Sequence, residues 1–399
     1  MPDRRELTSP VEHVVAASDP LFFHTMDGLF GSNVSDGNRI ETLLNGDEIY
    51  PAMLAAVEAA ERTITFETYI YWRGAIAEDF ADALAGRAEA GVEVKVLLDW
   101  QGSVPMDRAI RDRMEAAGVQ VVRFRPVHWY NLDRINNRTH RKLLVVDGRV
   151  GFTGGVGIGD EWLGDARHPG EWRETHYRVT GPVVAGLQEA FADNWVEATG
   201  EVLKGSGFFP GLDRQPDGVR AHMTKSSAGG RNTMHLMMMT AIASAERHVR
   251  IGTPYFVPDD VAKHQLIAAR QRGVEVDVLV PGAHMSKAFI RNASRHFWGD
   301  MLEAGVRIHE YQPTFYHPKV VIVDDAWVTI GSANFDERAF RLNDEANLGV
   351  FDAGFAREQA AIFDADLDRA RQITLAEWES RPLRQRITDW AWSWLRAQL

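Results

Sequence analysis

The chain has 399 residues, 45% of them hydrophobic and 25% charged, and a formal net charge of −12. That length allows two ordinary domains or one large duplicated unit, and the composition is globular. The absence of cysteine excludes disulfides and thiolate zinc sites, and the acidic balance argues against a broad grip on nucleic acid.

Residues 1–37 read as an irregular lead-in, with Phe22, Phe23, Leu29 and Phe30 as candidate anchors. No apolar h-region marks a signal peptide there. No apolar run reaches about 18 residues, so no transmembrane helix is expected. A first repeat spans 38–199. Apolar residues recur at helical spacing over 49–60, and 64–72 is β-rich with Glu67 inside it. The pattern then predicts a helix over 76–90 ended by Gly91, a buried strand over 92–98, a helix over 106–117 closed by Gly118, and a strand over 119–124. A loop, 126–139, leads to the first motif. Residues 200–230 are rich in Gly, Pro and Ser and read as a linker. The second repeat, 231–372, keeps the order: helices over 237–245, 261–272 and 289–304, with strands over 249–256, 274–280 and 306–311. The stretch AEAGVEVKVLL is answered by ARQRGVEVDVLV, which marks a duplication of one α/β unit. Residues 373–399 form an amphipathic tail, with Leu383, Ile387, Trp390 and Trp394 on one helical face and Arg384, Arg386 and Arg396 near it. Such a face suits a membrane interface or packing on its own domain.

Alternating helices and strands predict an α/β protein with two mixed sheets flanked by helices. The two halves would pack as a pseudo-twofold pair, with one site at their interface.

The chemistry sits in two matched stretches. His140-x-Lys142, Asp147 and Gly154-Gly155 in the first copy are answered by His317-x-Lys319, Asp324 and Gly331-Ser332, each 177 positions on. With 14 His, 7 Lys and 30 Asp, composition alone predicts about 0.02 occurrences of H-x-K-x4-D. A lone histidine on a strand is usually structural, but the repeated spacing argues for catalysis. Both motif cations are lysine in a chain with 37 Arg, which points to a compact charge rather than a planar fork. In an extended strand, side chains two apart share a face. Residues 320–323 read as a buried strand, Asp324-Asp325 as a turn, and 327–330 as the return. That return carries Ser332 and Asn334 back towards His317. Asp147 and Asp324 each stand where a strand turns, so a turn or ion-pair role competes with a chemical one.

Two imidazoles and two ammonium groups fit a phosphodiester. One histidine attacks phosphorus, the other protonates the leaving oxygen, and the lysines hold the non-bridging oxygens. No metal or cofactor is called for. Glu174 and Glu345, downstream of the motifs, are candidates to orient the imidazoles.

The motif pair resembles the phospholipase D superfamily. The flanking phrases FETYIYW, GVGIGDEW, WRETHYRVTGP, TPYFVP, GSANFDERAFRLNDE and ITLAEWESRPL resemble its bacterial cardiolipin synthase branch, and the likeness covers nearly the whole chain. The resemblance implies a duplicated phospholipase D-like unit. It implies transphosphatidylation of phosphatidylglycerol through a phosphatidyl-histidine, at the cytoplasmic face of the bacterial inner membrane. It places His140, Lys142, His317, Lys319 and Asn334 in the site, Glu174 and Glu345 behind the histidines, and Gly154, Gly155, Gly331 and Ser332 against substrate. Many members begin with two transmembrane helices; this sequence is similar to shorter synthases without them. Gly157 stands where the second copy has Asn334, so the phosphate contacts are expected to be asymmetric. A hydrolytic phosphodiesterase of the same fold, acting on phospholipid or nucleic acid, remains the alternative.

Overall fold

The computed structural model describes residues 7–13, 15–31, 34–126, 136–227, 232–285 and 288–394. Most of the loop expected at 126–139 and the end of the tail, including Arg396, lie outside these residues.

The first half runs α1 (Pro20–Phe30), β1 (Ser35–Leu44), α2 (Asn45–Glu58), β2 (Thr63–Thr68), α3 (Ala75–Glu89), β3 (Glu93–Asp99), α4 (Arg108–Ala116), β4 (Gln120–Phe124), β5 (Leu143–Val146), β6 (Val150–Gly154), β7 (Thr175–Thr180) and α5 (Val184–Thr199). The chain continues through β8 (Val219–Lys225), α6 (Thr233–Ala243), β9 (His248–Gly252), β10 (Phe256–Val257), α7 (Asp260–Gln271), β11 (Glu275–Pro281), α8 (Ala288–His296), α9 (Trp298–Glu303) and β12 (Arg307–Tyr311). It closes with β13 (Val320–Val323), β14 (Trp327–Gly331), β15 (Phe335–Asp336), α10 (Glu337–Arg341), β16 (Ala346–Phe351), α11 (Ala353–Leu367), β17 (Ala370–Ile373), α12 (Leu375–Glu379) and α13 (Leu383–Ser393).

Strand order explains the duplication. The sheet reads β17-β12-β11-β9-β13-β14-β16-β8-β1-β7-β6-β5-β2-β3-β4, a palindrome about the β8–β1 seam except for β17. In each half three strands are parallel, β2-β3-β4 and β9-β11-β12, and the rest are antiparallel. The two expected mixed sheets are thus continuous, joined where β1 pairs with β8 at Ser35–Ala221 and Asn38–Val219.

Two of the differences from the sequence reading lie outside the repeats. Residues 219–225, inside the expected linker, are β8, which pairs with β16 along six residues, Ala346–Lys225 to Phe351–Arg220. The Gly- and Pro-rich sequence around it hid an ordinary strand. The lead-in also carries a helix, α1. Asp19 caps it by accepting from Leu21 N, Pro20 opens it, and Gly31 ends it at φ 56°. Phe22 and Met26 are its buried anchors, while Leu29 is exposed.

One apolar core spans both halves, on α5 (Leu187, Phe191, Trp195) and α11 (Phe355, Phe363). Of the other two large cores, one lies under α2, α3 and α4 in the first half, and one under α6 and α7 in the second half, where α1 packs on it. Among the described residues no helix is long and apolar enough to cross a membrane.

Candidate active site

Hairpin geometry gathers the motif. His140 and Lys142 immediately precede β5, Gly154 ends β6, and Glu174 immediately precedes β7. Because β5, β6 and β7 are successively antiparallel, these three points fall at one edge of the sheet. The same holds for His317 and Lys319 before β13, Gly331 at the end of β14, and Glu345 before β16. β5 is four residues long, about 13 Å, so Asp147 at its far end is out of reach.

The halves then exchange partners. His140 Nδ1 lies 3.0 Å from Glu345 Oε1, and His317 Nδ1 lies 2.5 Å from Glu174 Oε2. Each histidine thus meets the glutamate of the opposite half. A carboxylate only accepts, so each Nδ1 carries the proton and each Nε2 keeps its lone pair. Backbone bonds fix this crossing. Asp344 N donates to Arg138 O and His140 N to Asp344 O, both at 2.9 Å. Arg173 N donates to Phe315 O at 2.9 Å and His317 N to Arg173 O at 2.8 Å. Arg173 is buried, pairs with Asp366 of α11 at 2.9 Å, and donates to Glu174 O.

Both glutamates are buried and saturated. Glu174 also accepts from Trp162 Nε1 at 3.2 Å and Thr175 N at 2.9 Å. Glu345 accepts from Ser332 Oγ at 2.5 Å and Asn343 Nδ2 at 3.1 Å. Burial alone would raise both carboxyls, but the facing histidine and lysine outweigh it and leave them below the ordinary range.

The lysines lie beside the rings. Lys142 Nζ donates to His140 O at 2.7 Å. Lys319 Nζ donates to His317 O and stands 3.1 Å from His317 Nε2. Burial lowers Lys142 to about 7 and Lys319 to about 8, against the pull of the glutamates. Burial also lowers His140 to about 4, and burial with Lys319 lowers His317 to about 3. Both imidazoles are neutral near pH 7.

The two rings have different walls. His317 faces Trp162, Trp172 and Phe315, with ring centroids 5.5, 5.4 and 5.4 Å away. His140 meets Tyr69 at 5.3 Å, whose ring also lies 5.7 Å from Lys142 Nζ. Tyr69 arrives because the strand expected over 64–72 leaves the sheet after Thr68. There Thr68 Oγ1 donates to Ile70 O, and Tyr71 bridges to Ile158. The second half repeats the device: Thr253 Oγ1 donates to Tyr255 O, and β10 pairs with β15.

Not every expected residue joins the cluster. Asp147 accepts from the backbone N of Glu61, Arg62 and Thr63, and Asp324 from Glu246, Arg247 and His248. Both sit at φ 53° in turns, so their expected catalytic role gives way to a structural one. Ser332 and Gly155, expected against substrate, serve the glutamates instead. Ser332 spends its hydroxyl on Glu345, and a Cβ on Gly155 would come within 2.5 Å of the Glu174 carboxylate. Gly154 and Gly331 are likewise pressed, on His176 and on the Ala346 carbonyl. Asn334 is buried, and its Oδ1 is unpartnered. Gly157 has no room for asparagine, since a Cβ would stand 2.8 Å from Ile70 Cβ.

Sequence reasoning missed Arg173, Asn343, Trp162 and Trp172. It noted Glu67 without a role. Glu67 is buried, accepts from Thr139 Oγ1 at 2.5 Å and Asn194 Nδ2 at 2.7 Å, and props the chain one residue before His140. In the second half Tyr316 takes the place of Thr139, its hydroxyl over Gly252.

Comparison with known proteins follows the duplication. A family model described as "Cardiolipin synthase, PLD-like domain" matches residues 53–164 and 238–367, one match per half. Cardiolipin synthase 2 of Bacillus anthracis is 35% identical over 374 residues, 92% of this chain and 72% of that one. Cardiolipin synthase A of Pseudomonas entomophila is 39% identical over 343 residues, 84% and 70% of the two chains. The crystal structure of phosphatidylserine synthase from Haemophilus influenzae superposes with a TM-score of 0.74 at 14% identity, covering 94% of this chain and 99% of that one. Polyphosphate kinase from Porphyromonas gingivalis gives 0.58 at 14% identity, over 89% and 52%. At such identity these two structures speak for the fold alone.

Proposed function

The chain belongs to the cardiolipin synthase family of phospholipase D-like proteins, and from that membership we propose that it is a phosphatidyl transferase making cardiolipin from two phosphatidylglycerols. The observation that carries the reading is the crossed pair of buried His–Glu contacts, with one lysine beside each ring. Neutral His140, its Nδ1–H held by Glu345, attacks phosphorus through Nε2. The bond from phosphorus to the headgroup oxygen breaks, and His317 Nε2 gives its proton to the departing glycerol. The arriving anionic phosphodiester favours the protonated form of His317, which takes that proton from solvent, and Lys319 beside that nitrogen stays an ammonium. Lys142 and Lys319 offset charge on the non-bridging oxygens. In the second step a hydroxyl of another phosphatidylglycerol attacks the phosphatidyl-histidine. His317 takes that proton, and His140 is released.

Water reaching the same intermediate would give phosphatidic acid. The wall of Trp162, Trp172 and Phe315 around His317 favours a lipid alcohol over water. The enzyme would meet its substrate as a peripheral protein at the cytoplasmic face of the inner membrane.

Product analysis with phosphatidylglycerol vesicles tests the reading. Cardiolipin with equimolar glycerol is expected. Phosphatidic acid as sole product would replace it with the hydrolytic reading. The covalent step has its own test. With a phosphatidyl donor bearing a good leaving group, His317→Asn should still accumulate acid-labile phosphohistidine on His140, found by mass spectrometry after an early quench. Label on His317 in the His140→Asn protein would reverse the two roles.

A further inference from the structure

The chemistry leaves α13 unused. Leu383, Ile387, Trp390 and Trp394 run along one stripe of that helix and are 70, 55, 52 and 74% exposed. The stripe faces outward from a well-anchored helix. Buried Asp389 pairs with Arg381 at 2.6 Å, and Trp392 packs on Phe289 of α8 with ring centroids 5.2 Å apart. Contiguous exposed apolar surface of this kind marks a contact face.

Charge selects the partner. The chain carries −12 overall, which opposes approach to an anionic surface. Arg384 and Arg386 flank the stripe, both exposed, and have no acid partner among the described residues. Tryptophan beside arginine on an amphipathic helix matches the headgroup boundary of an anionic bilayer. The indoles settle at the interface, and the guanidinium groups meet lipid phosphates.

The helix is also joined to the catalytic ring. Phe289, against which Trp392 packs, shares an apolar cluster with Tyr255 around Ile290. Tyr255 meets Phe315 at 6.5 Å, and Phe315 meets His317 at 5.4 Å. An unbroken run of apolar side chains therefore leads from the exposed helix to the site.

We propose that α13 seats the protein on an anionic phospholipid surface through Leu383, Ile387, Trp390 and Trp394, with Arg384 and Arg386 on the headgroups. The proposal rests on the phospholipid-transferase reading and identifies the element that delivers its site to the lipid. Flotation with phosphatidylglycerol and phosphatidylcholine vesicles tests it, alongside thermal melts and sedimentation. The Trp390→Ser/Trp394→Ser protein should melt like the parent yet lose about tenfold or more in affinity for phosphatidylglycerol vesicles. Arg384→Gln/Arg386→Gln should lose a similar factor on phosphatidylglycerol and little on phosphatidylcholine. Unchanged vesicle binding by the folded tryptophan variant overturns the proposal. So does loss of self-association without loss of vesicle binding, which would make the stripe a contact between two copies. Turnover of short-chain, monomeric phosphatidylglycerol separates the two readings. If the parent turns it over while vesicle binding ignores α13, docking fails and the transferase stands. If vesicle binding needs α13 but no phosphatidylglycerol is consumed, the transferase fails and docking stands.

Discussion

His140 and His317 are the same residue type on the same strand position of two copies, yet their surroundings differ. His140 is backed by Glu345, Asn343 and Ser332, His317 by Glu174 and a wall of aromatic rings. The duplicated spacing made the His, Lys and Glu residues legible, because spacing reports which groups share an edge. It was silent on which glutamate serves which histidine, since that depends on how the halves meet. It left Asp147 and Asp324 open between a turn and chemistry, because a repeat preserves turns as faithfully as active sites. The lysines carry a consequence for pH. Ordinary lysines stay charged to about 10.4. Here burial brings Lys142 to about 7 and Lys319 to about 8, so the needed ammonium forms are lost as pH rises through that range. His140, lowered to about 4, stays neutral well below it. The kcat/KM of the free enzyme should therefore fall above about pH 7, as Lys142 discharges, while kcat, measured with the phosphate already bound, falls later. Lys142→Arg, charged throughout, should push that fall upward towards pH 8, where Lys319 discharges. A flat kcat/KM to pH 9.5 would contradict charged lysines as the phosphate anchors.

Among the elements, helices and parallel strands were the most legible. Their apolar periodicity is strong, and Gly91, Gly118, Gly273 and Gly305 stop the helices at positive φ. The expected helix over 289–304 proved to be two, α8 and α9, broken at Phe297, where Ser294 Oγ bonds Phe256 O and accepts from Trp298 Nε1. β1 and β8 were hidden because their surroundings are polar and Gly-rich, and their pairing is long-range. The β5–β6 turn makes a separable prediction. Asp147 ties three backbone N–H groups before β2, and none of its bonds reaches the site. Asp147→Asn keeps the left-handed turn but turns one acceptor into a donor. It should cost about 1–3 kcal/mol of stability in denaturant, while kcat per folded molecule changes less than about threefold. Collapse of kcat in a variant that unfolds like the parent would return Asp147 to the chemistry.

At the scale of the whole molecule, neither half holds a finished site. The palindromic sheet places two equivalent edges opposite each other, and the residue before each glutamate clamps the other half's histidine strand. Arg173 locks one such clamp to α11 through Asp366. The crossing predicts that damage in one half is felt in the other. Glu174→Gln should shift the 15N resonances of His317, 143 positions away in sequence, and leave those of His140 in place. Glu345→Gln should do the converse across 205 positions. Kinetics should follow the same lines. A glycerol leaving group needs the proton that His317 gives, so Glu174→Gln should slow that substrate by about a hundredfold or more. An activated leaving group needs no proton, and there Glu174→Gln should cost little. Glu345 acts through the nucleophile, which every substrate needs, so Glu345→Gln should slow both. Equal losses on both substrates for Glu174→Gln, with the His317 resonances unmoved, would mean that the glutamates act within their own halves.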